Sequence, residues 1–211
     1  MLSETMANLC VLSYKNYMST SPPNPFTRCE LVSVAYSQAW IFEGEKSIAV
    51  AFRGTDDFKD VLCDANITTT DIPFVGTVHQ GFFNAFLRLL PEIQDRLESS
   101  TKKMFFTGHS LGGAMASICT AYFKHKNPVL VTFGSPKVGF ANFAEAMKHI
   151  THIRWTNEGD KVCKVPVFRF IHFGEERRLK TKLLSRITRR THGVKQYAQK
   201  IANLHLPLFD F

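Results

Sequence analysis

Several patterns that would point to a function at once are missing from this 211-residue chain. The five cysteines, Cys10, Cys29, Cys63, Cys119 and Cys163, are scattered and odd in number, and none stands in a C-x-x-C pair. A disulfide framework is not suggested. Free thiols in a reducing compartment are the simplest reading, which points to the inside of a cell and to the cytoplasm. No two histidines have the H-x-x-x-H or H-E-x-x-H spacing of a helical metal site, so no metal is expected. No stretch approaches the ~20 apolar residues needed to cross a bilayer. Glu4, Asn8 and Lys15 interrupt the first apolar run, so a secretory signal is not expected either. There is no internal repeat and no low-complexity tract. Apolar residues make up 45% of the chain and charged residues 21%. Residues 1–211 therefore read as one globular domain with a sizeable core.

Acidic residues are scarce toward the C-terminus. The net charge is +8. Between Arg169 and Lys200, Arg177, Arg178, Lys180, Lys182, Arg186, Arg189, Arg190 and Lys195 face only Glu175 and Glu176. Such a stretch would attract an anionic membrane surface at about 1 kcal/mol per residue close to the lipid. A solvated basic face without a partner accounts for it equally well. Aromatic residues do not interleave with the basic ones as a base-stacking platform requires, so nucleic acid is not expected.

What is present is a strand, a turn and a helix around one serine. Lys103 to Thr107 reads as a buried strand. Gly108-His109-Ser110-Leu111-Gly112 follows, and a helix of small residues runs from Leu111 to Lys124. Gly-x-Ser-x-Gly between a strand and a helix is the nucleophile elbow of an esterase. The pentapeptide alone would also suit an ordinary glycine-rich turn; its flanks are what favour the catalytic reading. A serine hydroxyl is a weak nucleophile and needs an exposed position with a base beside it. The turn is expected to supply that exposure.

Other elements follow from periodicity. Helices are predicted over Leu2 to Tyr17, Phe82 to Leu97 (kinked or broken at Pro91), Phe140 to His149 and Gly193 to Leu204. Strands are predicted over Leu31 to Phe42 and Ser47 to Phe52, joined by the turn at Glu43 to Lys46. Further strands are predicted over Pro128 to Phe133, His152 to Thr156 and Val165 to Phe173. Strands alternating with helices imply an α/β fold, with a mostly parallel central sheet flanked by helices on both faces.

A hydrolase of this type orders its residues Ser, then acid, then His. Asp160 follows the strand that ends near Thr156, and Gly159 lets its loop turn. It is the expected acid, with Glu158 competing. Of the histidines beyond it, His192 sits on a loop ahead of the last helix and is the expected base. His172 lies inside a predicted strand and is the runner-up, and His205 lies in an apolar tail. His109, His125, His149 and His152 precede the acid and read as neighbours or surface residues. For an oxyanion hole, the N–H of Leu111 is one donor. Thr55, after the strand Ala49 to Phe52 and Gly54, is the other, and each such donor is worth ~2.7–4 kcal/mol in the barrier. Phe74, Val75, Phe82 and Phe83 are candidates to line an acyl groove, although each suits plain core as well. This chemistry calls for no metal or organic cofactor.

These residues resemble the class 3 lipase family, the fungal-type triacylglycerol lipases and their plant relatives. The likeness runs in order through Phe52-Arg53-Gly54-Thr55, Val78-His79-Gln80-Gly81-Phe82, Gly108 to Ala114, Thr132 to Gly139, Asn157 to Val162, His172 to Glu175, and His192. It implies an α/β-hydrolase fold, a triad of Ser110, Asp160 and His192, and an oxyanion hole from Thr55 and Leu111. It places His172 outside the triad and a lid at Asp56 to Asp64. The chain is shorter than typical members, its lid segment is rich in Asp and Lys, and the family's extracellular disulfides are not suggested. A short polar lid fits a small or partly soluble ester. The expected activity is hydrolysis of lipid carboxylic esters, acylglycerol lipase-like, through an acyl-serine, with phospholipase and soluble carboxylesterase as alternatives. An acyltransferase using the same serine and a non-catalytic lipid-binding relative remain open too.

Overall fold

The structure, a computed structural model, describes residues 2–16, 21–55, 68–181 and 191–204. The expected lid at Asp56 to Asp64, His205, and Lys182, Arg186, Arg189 and Arg190 of the basic stretch lie outside the described residues.

Ser47 to Phe52 is buried at every position and forms β3 (Ser47–Phe52), in the middle of a seven-stranded sheet. On one side lie β2 (Ser37–Gly44) and β1 (Phe26–Val34), paired antiparallel. The predicted strand from Leu31 to Phe42 is thus a hairpin that reverses at Ala35 and Tyr36, with Ala35 at φ 51°. On the other side, β6 (Lys103–His109), β7 (Val129–Phe133), β8 (Thr151–Asn157) and β9 (Glu175–Leu179) run parallel to β3. The order β1-β2-β3-β6-β7-β8-β9 is the mostly parallel sheet expected. A separate hairpin, β4 (Thr69–Ile72) with β5 (Gly76–His79), was not expected from the sequence.

One face of the sheet carries α2 (Gln80–Leu87), α3 (Leu90–Ser99) and α4 (Leu111–Tyr122), with Phe82, Phe86, Ile93 and Leu97 in one apolar cluster with Val50 and Phe52. Each such side chain contributes roughly 1.5–3 kcal/mol by leaving water. The predicted helix from Phe82 to Leu97 is two helices. Pro91 stands in the first turn of α3, where its missing N–H leaves no helical bond unmade. The opposite face carries α1 (Leu2–Leu12) and α6 (Val194–Ala202), whose Leu2, Met6, Leu9, Tyr197 and Ile201 pack with Phe105, Phe133 and Trp155. The first helix stops at Leu12, short of the predicted Tyr17, and α5 is only Ala141–Ala146.

The predicted strand Val165 to Phe173 does not form. This stretch is irregular, touches a strand partner only where Ile171 bridges Gly139, and leads into β9. Its apolar residues are not one buried face: Phe170 is buried, while Val167, Phe168 and Ile171 are exposed.

Candidate active site

Strand β6 ends at His109 and α4 begins at Leu111, so Ser110 alone makes the turn. Its backbone sits at φ 59°, ψ −126°, a conformation non-glycine residues rarely hold. The turn is tied down by Ser110 N–H to Phe133 O at 3.0 Å and by Gly113 N–H to Ser110 O at 2.9 Å. A Cβ on Gly112 would stand 2.1 Å from the carbonyl oxygen of Phe52, so only glycine lets α4 start this close to the end of β3. The Leu111 N–H is the first of α4 and has no acceptor within its own helix. Thr55 follows Gly54, whose own Cβ position would lie 3.3 Å from Ser110 Cβ, so the turn after β3 lies against the elbow. The serine is not exposed as expected: it is 2% accessible, because the turns that follow β3 and β7 crowd around it. Among the described residues, Ser110 Oγ makes no hydrogen bond.

Asp160 and His192 are brought together. His192 Nδ1 and Asp160 Oδ2 are 2.8 Å apart. Since a carboxylate only accepts, Nδ1 carries the proton and Nε2 is left with its lone pair. Asp160 is fully buried and is satisfied on both oxygens. Val162 N–H donates to Oδ1 at 3.0 Å, and Tyr197 O–H donates to Oδ2 at 2.7 Å. Burial, then the neighbouring Cys163 and Asp160, push the Tyr197 hydroxyl well above its ordinary pKa, so it stays a donor. Tyr197 accepts in turn from Asn157 N–H at 2.9 Å, and the Asn157 amide donates to Thr191 O at 2.9 Å. Asn157, at the end of β8, thereby holds both the acid's second donor and the residue before His192. Gly134, at φ 58°, leaves room for the pair: a Cβ there would lie 3.0 Å from Asp160 Oδ2 and 3.1 Å from the His192 ring.

The competing residues are occupied elsewhere. Glu158 accepts from Thr181 N–H at 3.4 Å. His172 Nε2 donates to Cys163 O at 2.6 Å, and burial followed by the Arg154 charge lowers its pKa to about 4. Of the four acyl-groove candidates, Val75 and Phe82 are buried in the core and Phe83 packs against it. Phe74 is 95% exposed, and its carbonyl accepts from Lys124, just past the far end of α4. None of the four lies beside the serine by any contact described.

The sequence did not show that Tyr14, His109 and Tyr197 meet around this pair. His109, read as a neighbour or a surface residue, is a neighbour of the pair: it is buried, and its Nε2 donates to the backbone carbonyl of His192. Its Nδ1 is therefore unprotonated and accepts from Tyr14 O–H at 2.7 Å. Burial, then repulsion from His192, hold its pKa down to about 3. His152 is buried as well, whereas His125 and His149 are exposed as expected. The identity of His109 as the residue before the serine was the only available signal of its place. Tyr14 and Tyr197 carry no local motif.

Sheet order, elbow and the loops at the strand ends together define an α/β-hydrolase. Residues 49–170 match the class 3 lipase profile, and the chain belongs to the class 3 lipase family. It is 33% identical over 157 residues to a lipase of Rhizomucor miehei, covering 64% of this chain and 42% of that protein. It is 32% identical over 156 residues to the toxin TseL of Vibrio cholerae, covering 71% of this chain and 24% of the toxin. The crystal structure of a lipase from Rhizopus microsporus var. chinensis superimposes with a TM-score of 0.72 at 25% identity, covering 84% of this chain and 73% of the other. The chain thus spans less than half the length of these two curated relatives.

Proposed function

We propose that this protein hydrolyses carboxylic esters of lipids, in the manner of an acylglycerol lipase, through an acyl-serine intermediate. The observations that carry the reading are the Asp160–His192 pair at 2.8 Å, whose carboxylate is buried, and a serine held in an elbow conformation. Ser110 is the nucleophile, His192 the base and Asp160 the group that fixes the imidazole tautomer. Nε2 of His192 takes the hydroxyl proton as Ser110 Oγ attacks the acyl carbon. Hydrogen bonds of this kind are commonly long in a free enzyme and tighten on loading. The oxyanion receives the N–H groups of Leu111 and Thr55. His192 then protonates the leaving alcohol, and water returns the enzyme to its start. Ser110 is 2% accessible, so substrate entry requires the surrounding chain to shift.

The same reading covers residues 1–211 as one domain, supported by the shared core of α1 and α6. No described helix is long and apolar enough to cross a membrane. Four described cysteines, Cys10, Cys29, Cys119 and Cys163, are free thiols, which supports a reducing, cytoplasmic setting. Peripheral contact with an anionic membrane through the basic C-terminal third belongs to the proposal too. Within that third, Arg177 and Arg178 are already paired with Glu175 and Glu176, at 2.8 and 3.4 Å, which weakens their share.

The test is the initial rate on a medium-chain ester, followed through its solubility limit, with Ser110→Ala as the blank. Turnover lost in Ser110→Ala supports the serine mechanism. A jump above the limit identifies a lipase, and saturation below it an esterase. No turnover on either side of the limit refutes the reading.

A further inference from the structure

We propose that the loop from Lys161 to Gly174 is a membrane-docking element, whose partner is the surface of an anionic phospholipid bilayer. Val167 and Phe168 are 73% and 76% exposed at its tip, and Ile171 is 42% exposed. Contiguous exposed apolar side chains are a feature of interaction sites, and these two are adjacent. The loop is also built to stay in place. Val165 O accepts from Lys137 N–H at 2.9 Å, and Ile171 N–H donates to Gly139 O at 3.0 Å. Phe170 is 3% exposed and packs edge-on against Phe140, with centroids 4.9 Å apart, and near His79 at 6.1 Å. The tip is thus a fixed protrusion on a buried aromatic anchor.

Charge selects the partner. Residues 161–174 contain Lys161, Lys164 and Arg169 and no Asp or Glu. Lys161, Lys164 and Arg169 are exposed. Lys164 lies within about 11 Å of Val167 along the chain. Arg169 follows Phe168 directly and rests its guanidinium 4.7 Å above the Phe140 ring, which lays the charge along the protein surface. A cationic collar around an apolar tip matches a bilayer with anionic headgroups above acyl chains. It does not match an apolar protein groove, where collar charges would be stripped of water without partners. This surface differs from the basic run beyond Arg177, and it is next to the candidate site. Lys137, which holds the loop, lies two residues after Ser135, and Ser135 stands against Gly113 in the first turn of α4. Docking the tip brings the serine end of the sheet to the lipid; that benefit rests on the ester-hydrolase reading, whereas the docking itself does not.

The test uses the full chain carrying Ser110→Ala, so that vesicles stay intact, with Phe168→Trp as a reporter. The native Trp40 and Trp155 are both buried, so a change in emission reports the loop. With mixed phosphatidylcholine–phosphatidylglycerol vesicles, the indole emission is expected to shift to the blue and to be shielded from an aqueous quencher, more strongly than with phosphatidylcholine alone. Sedimentation with the mixed vesicles should fall at least about tenfold in Val167→Ser/Phe168→Ser. It should fall roughly 25-fold in Lys164→Gln/Arg169→Gln, at about fivefold per basic side chain. Turnover of a water-soluble short-chain ester by these double variants, with Ser110 intact, should match the parent, which also reports that they fold. No shift with mixed vesicles, or vesicle binding that neither double variant weakens, overturns the proposal. Loss of ester turnover in the parent would count against the enzyme reading and leave the vesicle result standing.

Discussion

Stability should fall steeply on mild acidification, because burial holds His109, His152 and His172 in neutral form and lowers His79 in the same direction. His109 sits between Tyr14 and the His192 carbonyl, and its pKa is held to about 3 by burial and then by His192. His152 bonds Thr132 through Nε2 at 2.9 Å, and burial, followed by Arg154 and His172, holds it to about 3. His172 is held to about 4 by burial and then Arg154. All three lie below the ordinary value of 6.5, so between the two values the unfolded chain binds protons that the folded chain refuses. Their contribution is complete above that ordinary value and is lost as pH falls toward the folded values. At about pH 5 each histidine has cost about 2 kcal/mol, or roughly 6 kcal/mol together. That rivals the ~5–15 kcal/mol of a whole domain. Carboxylates titrate lower: Glu43, for example, is held below its ordinary value of 4.5 by its Lys102 hydrogen bond. The assay is the urea midpoint at steps from about pH 7.5 to about pH 5, with His152→Gln alongside, whose slope should be smaller by about a third. A midpoint that stays level across this window would refute the reasoning.

Three further outcomes are expected. Tyr197→Phe removes a hydrogen bond to a buried carboxylate and strands the Asn157 N–H, so urea denaturation should show a loss of about 2–4 kcal/mol. Gly112→Ala forces a methyl onto the Phe52 carbonyl, a backbone atom that cannot swing aside, and should cost roughly 3 kcal/mol or more in thermal unfolding, or prevent folding. Asp160→Asn should lower kcat by about four orders of magnitude with near-parental far-UV circular dichroism, because the histidine tautomer is lost while the packing is kept.

The sheet centre and the elbow were legible because their signals are local. Ser47 to Phe52 and Val129 to Phe133 are apolar runs with nowhere to go but a buried strand. Ser110 sits between glycines whose lack of a side chain is needed where strand and helix touch. The edge of the sheet was not legible. Glu175 to Leu179 has four charged residues out of five and no apolar alternation to mark it, yet it is a strand in which only Leu179 is buried. The loop before it misled in the opposite sense: its apolar residues imitate a strand, while Val167, Phe168 and Ile171 face out. Asp160 and His192 could be proposed from chain order. Tyr14, His109 and Tyr197 could not, because their roles depend on contacts 37 to 95 residues distant in the chain.

The order in which the site's parts occur along the chain has a consequence during synthesis. The serine and the strands beside it precede in the chain both side chains that bond the Asp160 carboxylate, His192 and Tyr197. On the proposed assignment, a ribosome-bound chain that has reached only β9 holds the serine without its base. On the proposed triad, the centre is therefore complete only when α6 folds back onto α1.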